Sequence, residues 1–187
     1  MLLSLVVASL LVMGSPGPST ISVTAVGAAF GLRRSIAYTS GLIAGTVLVL
    51  LAVSTGVLAM LLAVPRIAPV LLVASASYIL YLAFRIATAP PLTTPDRSRD
   101  APSFAGGLLL ALANPKAYVA IAAVFAGSPL APSVKIAALS GMVVLIHAAW
   151  LAAGTAFAQV LRDPVWSRRV NVSLAVALVA ATVYSLT

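Results

Sequence analysis

Met13-Gly14-Ser15-Pro16-Gly17-Pro18-Ser19 and its later counterpart Ala113-Asn114-Pro115-Lys116 decide how this chain is read, because each interrupts a membrane-length apolar segment. Helix breakers at bilayer depth are tolerated only where protein or a water-filled cavity covers the backbone groups they free. Two such breaks, at matching places in two halves of one chain, point to a substrate site near the membrane midplane. Working outward from them, the composition agrees: 62% of the 187 residues are hydrophobic, 7% are charged and the mean hydropathy is +1.16. A soluble domain carries about a quarter charged residues, so lipid is the solvent expected here.

An apolar span needs about 20 residues. Six segments meet that measure: 2–30 (broken at 14–18), 36–62, 68–87, 103–127 (broken at 113–115), 133–161 and 168–187. Leu2 to Met13 lack the basic start of a signal peptide and read as the first half of a retained helix. The one hydrophilic stretch, 88–102, is rich in proline and charge and reads as a linker. The expected organisation is a single membrane domain over 1–187, with three-helix repeats at 1–87 and 103–187. Pro16 and Pro115 stand 99 positions apart, and Ser40-Gly41 and Ser140-Gly141 stand 100 apart. Three spans per half require the second copy to be inverted. The fold class is therefore an all-α integral membrane protein, with six transmembrane helices in two inverted three-helix repeats and helices one and four broken at proline.

Basic residues set the orientation. Arg33, Arg34, Arg85, Arg97, Arg99, Arg162, Arg168 and Arg169 fall on one side, against Arg66 and Lys135 on the other. The positive-inside bias puts both termini of this multi-pass chain outside the cell membrane. The arginines sit between apolar runs and form no basic stripe, so nucleic acid is not an expected partner. The chain has no cysteine, which excludes disulfides, thiolate catalysis and cysteine metal sites.

At the first break, glycine past a helix end and Pro18 at the start of the next helix follow the usual order. At the second, Asn114 is a good N-cap with Pro115 at the first helical position. Each half-helix then aims unpaired N–H groups and a partial positive charge into the site, which suits a carboxylate. Lys116 lies 13 residues after Ser103, roughly 20 Å along a helix at 1.5 Å per residue. A cation is disfavoured at a helix N-terminus, so this lysine makes sense beside an anionic substrate. The alternative is a lysine that bonds carbonyls of the broken helix or faces an aqueous vestibule. His147 is a candidate proton acceptor, with a histidine bonded to a neighbouring helix as the other reading. Trp150 could wall a cavity or pack in the core. The pairs Gly27–Gly31 and Gly41–Gly45 read as close helix packing.

Pro16-Gly17-Pro18, Gly31 followed by basic residues, Gly41, Gly45, Gly56 and Tyr78-Ile79-Leu80 form a pattern with Phe104-Ala105-Gly106-Gly107, Ala113-Asn114-Pro115-Lys116-Ala117 and Trp150. Over essentially the whole chain this resembles the LysE/RhtB family of amino-acid exporters. The resemblance implies an inner-membrane carrier that exports amino acids or related small metabolites on the proton gradient. Pro16, Gly17, Pro18, Asn114, Pro115 and Lys116 inherit the family's motif positions. The chain departs from the pattern at Ser19, at Thr46 and near His147, where family members often carry acidic or amide residues. No Asp or Glu remains in any expected span, so a neutral or apolar substrate bearing its own carboxylate fits better than a cationic one.

The expected substrate-binding residues are Pro16, Gly17, Pro18, Ser19, Asn114, Pro115 and Lys116. His147 is the candidate for proton coupling, and Thr46 and Trp150 are candidates for the cavity wall. No catalytic residue, cofactor or metal is expected. The partners expected are a small-molecule substrate and the bilayer, and a homo-oligomer is compatible with the sequence. An enzyme would need paired acids, a nucleophile–base pair or metal ligands, which the spans lack. The competing reading is a non-transporting membrane scaffold or a divergent family member with a different small solute.

Overall fold

The structure, a computed structural model, describes residues 1–56, 67–88, 101–160 and 164–184. Most of the expected linker, the far end of the second segment, and Arg66, Arg97, Arg99 and Arg162 lie outside these residues, as do Asp96, Asp100 and Asp163. The described residues are helical, without strands: α1 (Leu2–Val12), α2 (Pro18–Phe30), α3 (Leu32–Ser54), α4 (Ile67–Ala87), α5 (Phe104–Ala113), α6 (Pro115–Ala126), α7 (Pro132–Val160) and α8 (Pro164–Tyr184). Two stretches, Leu32–Ser54 and Pro132–Phe157, are each long and apolar enough to cross a membrane. The pair α5 and α6, bent by 63° at Asn114, makes a third if counted as one span.

Local chemistry explains the helix ends. Gly17 is extended, Pro18 occupies the first position of α2, and the Gly17 N–H donates to Thr20 Oγ1 at 2.9 Å. That bond is the reciprocal half of a capping box. Ser103 caps α5 through the Gly106 N–H, and Asn114 Oδ1 caps α6 by accepting from the Lys116 N–H at 3.1 Å. These are the side chains that best satisfy orphan N–H groups at a helix start.

Two buried apolar clusters organise the helices. One joins Val23 of α2, Tyr38 of α3, Leu82 of α4, Leu110 of α5, Leu151 of α7 and Leu178 of α8. The other joins Leu5 of α1, Val49 of α3, Ile121 of α6 and Leu139 of α7. Helices α3 and α7 run through both. Each break separates a half-helix of one cluster from a half-helix of the other, so both breaks fall where one cluster gives way to the next. Helix α2 is enclosed, with 11 of its 13 residues buried. The other helices expose large apolar side chains, such as Leu3, Leu48, Phe84, Leu109, Val119, Leu145 and Val176. Apolar surface on this scale matches an outer face solvated by lipid.

The closest helix contact is α3 on α5. A Cβ on Gly41 would overlap the Phe104 carbonyl, and one on Gly107 would overlap the Tyr38 carbonyl, so these backbones touch through glycine alone. Gly141, the sequence counterpart of Gly41, has open space around it. The matched dipeptides therefore do different work. Gly41→Ala should lower stability by about 1–3 kcal/mol through overpacking. Gly141→Ala should be neutral or stabilising by up to ~1 kcal/mol through helix propensity. Thermal unfolding of the two purified variants in detergent checks the contrast, and equal melting temperatures would contradict the packing described.

Candidate functional site

The two breaks meet. Asn114, already holding α6 through its Oδ1, donates from Nδ2 to Ser19 Oγ at 2.8 Å, across 95 residues. Lys116, next along α6, sends its ammonium to the first break. Its Nζ donates to the Ser15 carbonyl at 2.7 Å, to Ser15 Oγ at 2.8 Å and to the Pro16 carbonyl at 2.8 Å. The lysine reaches there because Gly17 has no side chain: a Cβ at 17 would lie 2.6 Å from Lys116 Cδ and 2.8 Å from Nζ. Of the readings open for this lysine, bonding to opened carbonyls describes its contacts. The carbonyls belong to the break in the other half of the chain. Within the protein its partners are thus oxygens of the unwound stretch just past the C-terminal end of α1.

A cleft opens beside these contacts. Ser15, Gly17, Ser19 and Thr20 of the first break line it together with Asn114 and Lys116 of the second. Thr46 of α3 and His147 of α7 add polar atoms, and Met13, Ala117, Ala120, Ile121, Val143 and Ile146 supply an apolar wall. Ser19 is buried, and its Oγ accepts from Asn114. Thr46 donates its hydroxyl proton to the Leu42 carbonyl at 2.8 Å and keeps lone pairs to accept.

His147 is buried, and its Nδ1 lies 2.8 Å from the Val143 carbonyl. A carbonyl only accepts, so Nδ1 carries the proton and Nε2 is left as an acceptor. Nε2 is buried without a hydrogen-bond partner among the described residues. A buried acceptor left unpaired costs about 1–3 kcal/mol, so this nitrogen is available to a ligand donor.

Several expectations need adjustment. Trp150 is not part of the cleft wall: its indole N–H donates to the Gly14 carbonyl at 3.1 Å and so closes another opened backbone group of the first break. Pro16, Pro18 and Pro115 are likewise absent from the cleft lining and act on its shape through the backbone. Lys135, counted from sequence among the outer loop charges, is buried against the end of α6. Its ammonium donates to the Phe125 carbonyl at 2.8 Å and the Ser128 carbonyl at 3.2 Å, with the Phe125 ring 4.1 Å away. It caps a helix C-terminus. Ser15 and Thr20 join the site beyond the residues expected from sequence, and the available signal for them is their place within the first motif and directly after it. Apart from Met13, which begins the first motif, the apolar wall comes from α6 and α7 and carries no such signal.

The profile of the LysE type translocator family matches the chain over residues 10–186. No curated protein and no protein of solved structure matches it.

The Trp150 contact yields a direct test. Trp150→Phe keeps an aromatic ring but leaves the Gly14 carbonyl unpaired, and should lower stability by about 1–3 kcal/mol. Thermal unfolding in detergent reads this, and an unchanged midpoint would remove Trp150 from the support of the break.

Proposed function

The chain belongs to the LysE-type translocator family, a family of membrane transporters, and we propose that it exports amino acids or related small carboxylate-bearing metabolites across the inner membrane. The observation that carries this reading is the single cleft walled by both helix breaks. In the proposed architecture, six spans form two inverted three-helix repeats, with α1–α2 and α5–α6 each serving as one broken span. The excess of arginine at the ends of α3, α4 and α8 supports a cytoplasmic placement for those ends and outward termini.

The substrate's carboxylate would lie at the starts of α2 and α6, beside Lys116, where N–H groups and helix dipoles favour an anion. Its side chain would rest on Met13, Ile121 and Ile146. Asp and Glu are absent among the described residues, so a second cationic group on the substrate would have no carboxylate to meet. A neutral side chain is the better fit. Proton coupling would use His147, whose Nε2 is open to accept a proton or a substrate N–H donor.

Cells lacking related exporters should retain less of one or more labelled neutral amino acids when they make this protein. Collapse of the proton gradient should abolish the difference. No depletion across a full neutral panel, with the protein verified in the membrane, would contradict the reading. His147→Gln should lose gradient-driven efflux while substrate exchange in proteoliposomes persists. Full gradient-driven efflux in that variant would remove His147 from coupling.

A further inference from the structure

Lys116 is bound more completely than a lysine waiting for substrate needs to be. An ammonium has three N–H donors, and each has an oxygen at the first break: the Ser15 carbonyl, Ser15 Oγ and the Pro16 carbonyl. The Ser15 hydroxyl is turned to accept, because its own proton goes to the Val12 carbonyl at 2.8 Å. Gly17 keeps the approach open for the lysine stem. With no Asp or Glu among the described residues, the charge is balanced by carbonyl and hydroxyl dipoles at the negative end of α1. Oxygens of unwound backbone at a half-helix C-terminus are the ligands that hold monovalent cations in carriers of broken-helix construction.

We propose that the oxygens of Ser15 and Pro16 form a monovalent-cation site whose resident ion is the tethered ammonium of Lys116. The two halves of the chain are then locked at their breaks by an internal ion in place of a free one. A consequence, resting on the transport reading above, follows from donor counting. A substrate carboxylate can engage Nζ only by drawing it off at least one of these oxygens, so carboxylate binding loosens the contact between the halves.

The site is tested without transport, by thermal unfolding of the purified full chain in detergent. Wild type and Lys116→Ala are compared in sodium, potassium, methylammonium and choline chloride at constant ionic strength. Wild type should melt at one temperature in all four salts. Lys116→Ala should melt lower in choline and recover about half of the loss or more, saturably, in sodium, potassium or methylammonium, since an ion that binds only the folded state raises its stability. Should Lys116→Ala not fold, Lys116→Met, which keeps the stem and removes the charge, carries the same comparison. A folded variant indifferent to every small cation would overturn the proposal, as would a wild-type protein stabilised by sodium to the same extent. Failure to transport any amino acid would remove the substrate reading and leave the melting comparison standing.

Discussion

Backbone carbonyls opened inside an apolar bundle must find donors, and the first break meets this constraint largely with side chains from the second half of the chain. The Gly14 carbonyl accepts from Trp150, and the Ser15 and Pro16 carbonyls accept from Lys116. Local partners supplement these: Ser15 Oγ for the Val12 carbonyl, the Ile21 N–H with Thr20 for Gly17, and a longer Thr20 hydroxyl contact of 3.4 Å to the Ser15 carbonyl. In hydrocarbon each unanswered group costs several kcal/mol. The interruption of α1–α2 is therefore stable only with α6 and α7 in place, and the two halves depend on one another at the site itself.

The same dependence sets the shape of the cleft. Helices α1 and α6 belong to one apolar cluster and α2 and α5 to the other, with α3 and α7 common to both. Polar groups concentrate where the clusters part: Ser15, Ser19, Asn114, Lys116 and, from the common helices, Thr46 and His147. Glycine contacts clamp α3 to α5 along Gly41, Gly45 and Gly107, while Lys116 and Asn114 tie the two breaks together through hydrogen bonds. Packing fixes the frame, and a small set of exchangeable polar bonds closes the site. This division suits a protein that must open to pass a solute.

Much of this was legible in the sequence, for particular physical reasons. Proline and glycine act locally, so the ends of α1 and α5 and the starts of α2 and α6 could be read from Gly14 to Pro18 and from Asn114 and Pro115. Lys116 stood out because an ammonium is out of place at both bilayer depth and a helix N-terminus. What could not be read was partnership across the chain. Nothing local distinguishes Gly41, pressed on a carbonyl of α5, from Gly141, which faces open space. Likewise nothing in the sequence around Trp150 says that its N–H serves Gly14, or that Lys135 turns inward to cap α6. Those facts depend on helix register, which apolar periodicity leaves undetermined when most positions are apolar.

The central claim, that the cleft between the breaks receives the substrate, has a clean probe because the chain contains no cysteine. A single cysteine at Ala117, in the cleft wall, can be labelled with a small water-soluble maleimide in membranes, with Arg33→Cys as an exposed control. The account predicts that one or more neutral amino acids slow labelling at position 117 in a concentration-dependent manner and leave position 33 unaffected. Labelling at 117 that no amino acid or small carboxylate changes, in protein that still carries out efflux, would place the substrate path elsewhere.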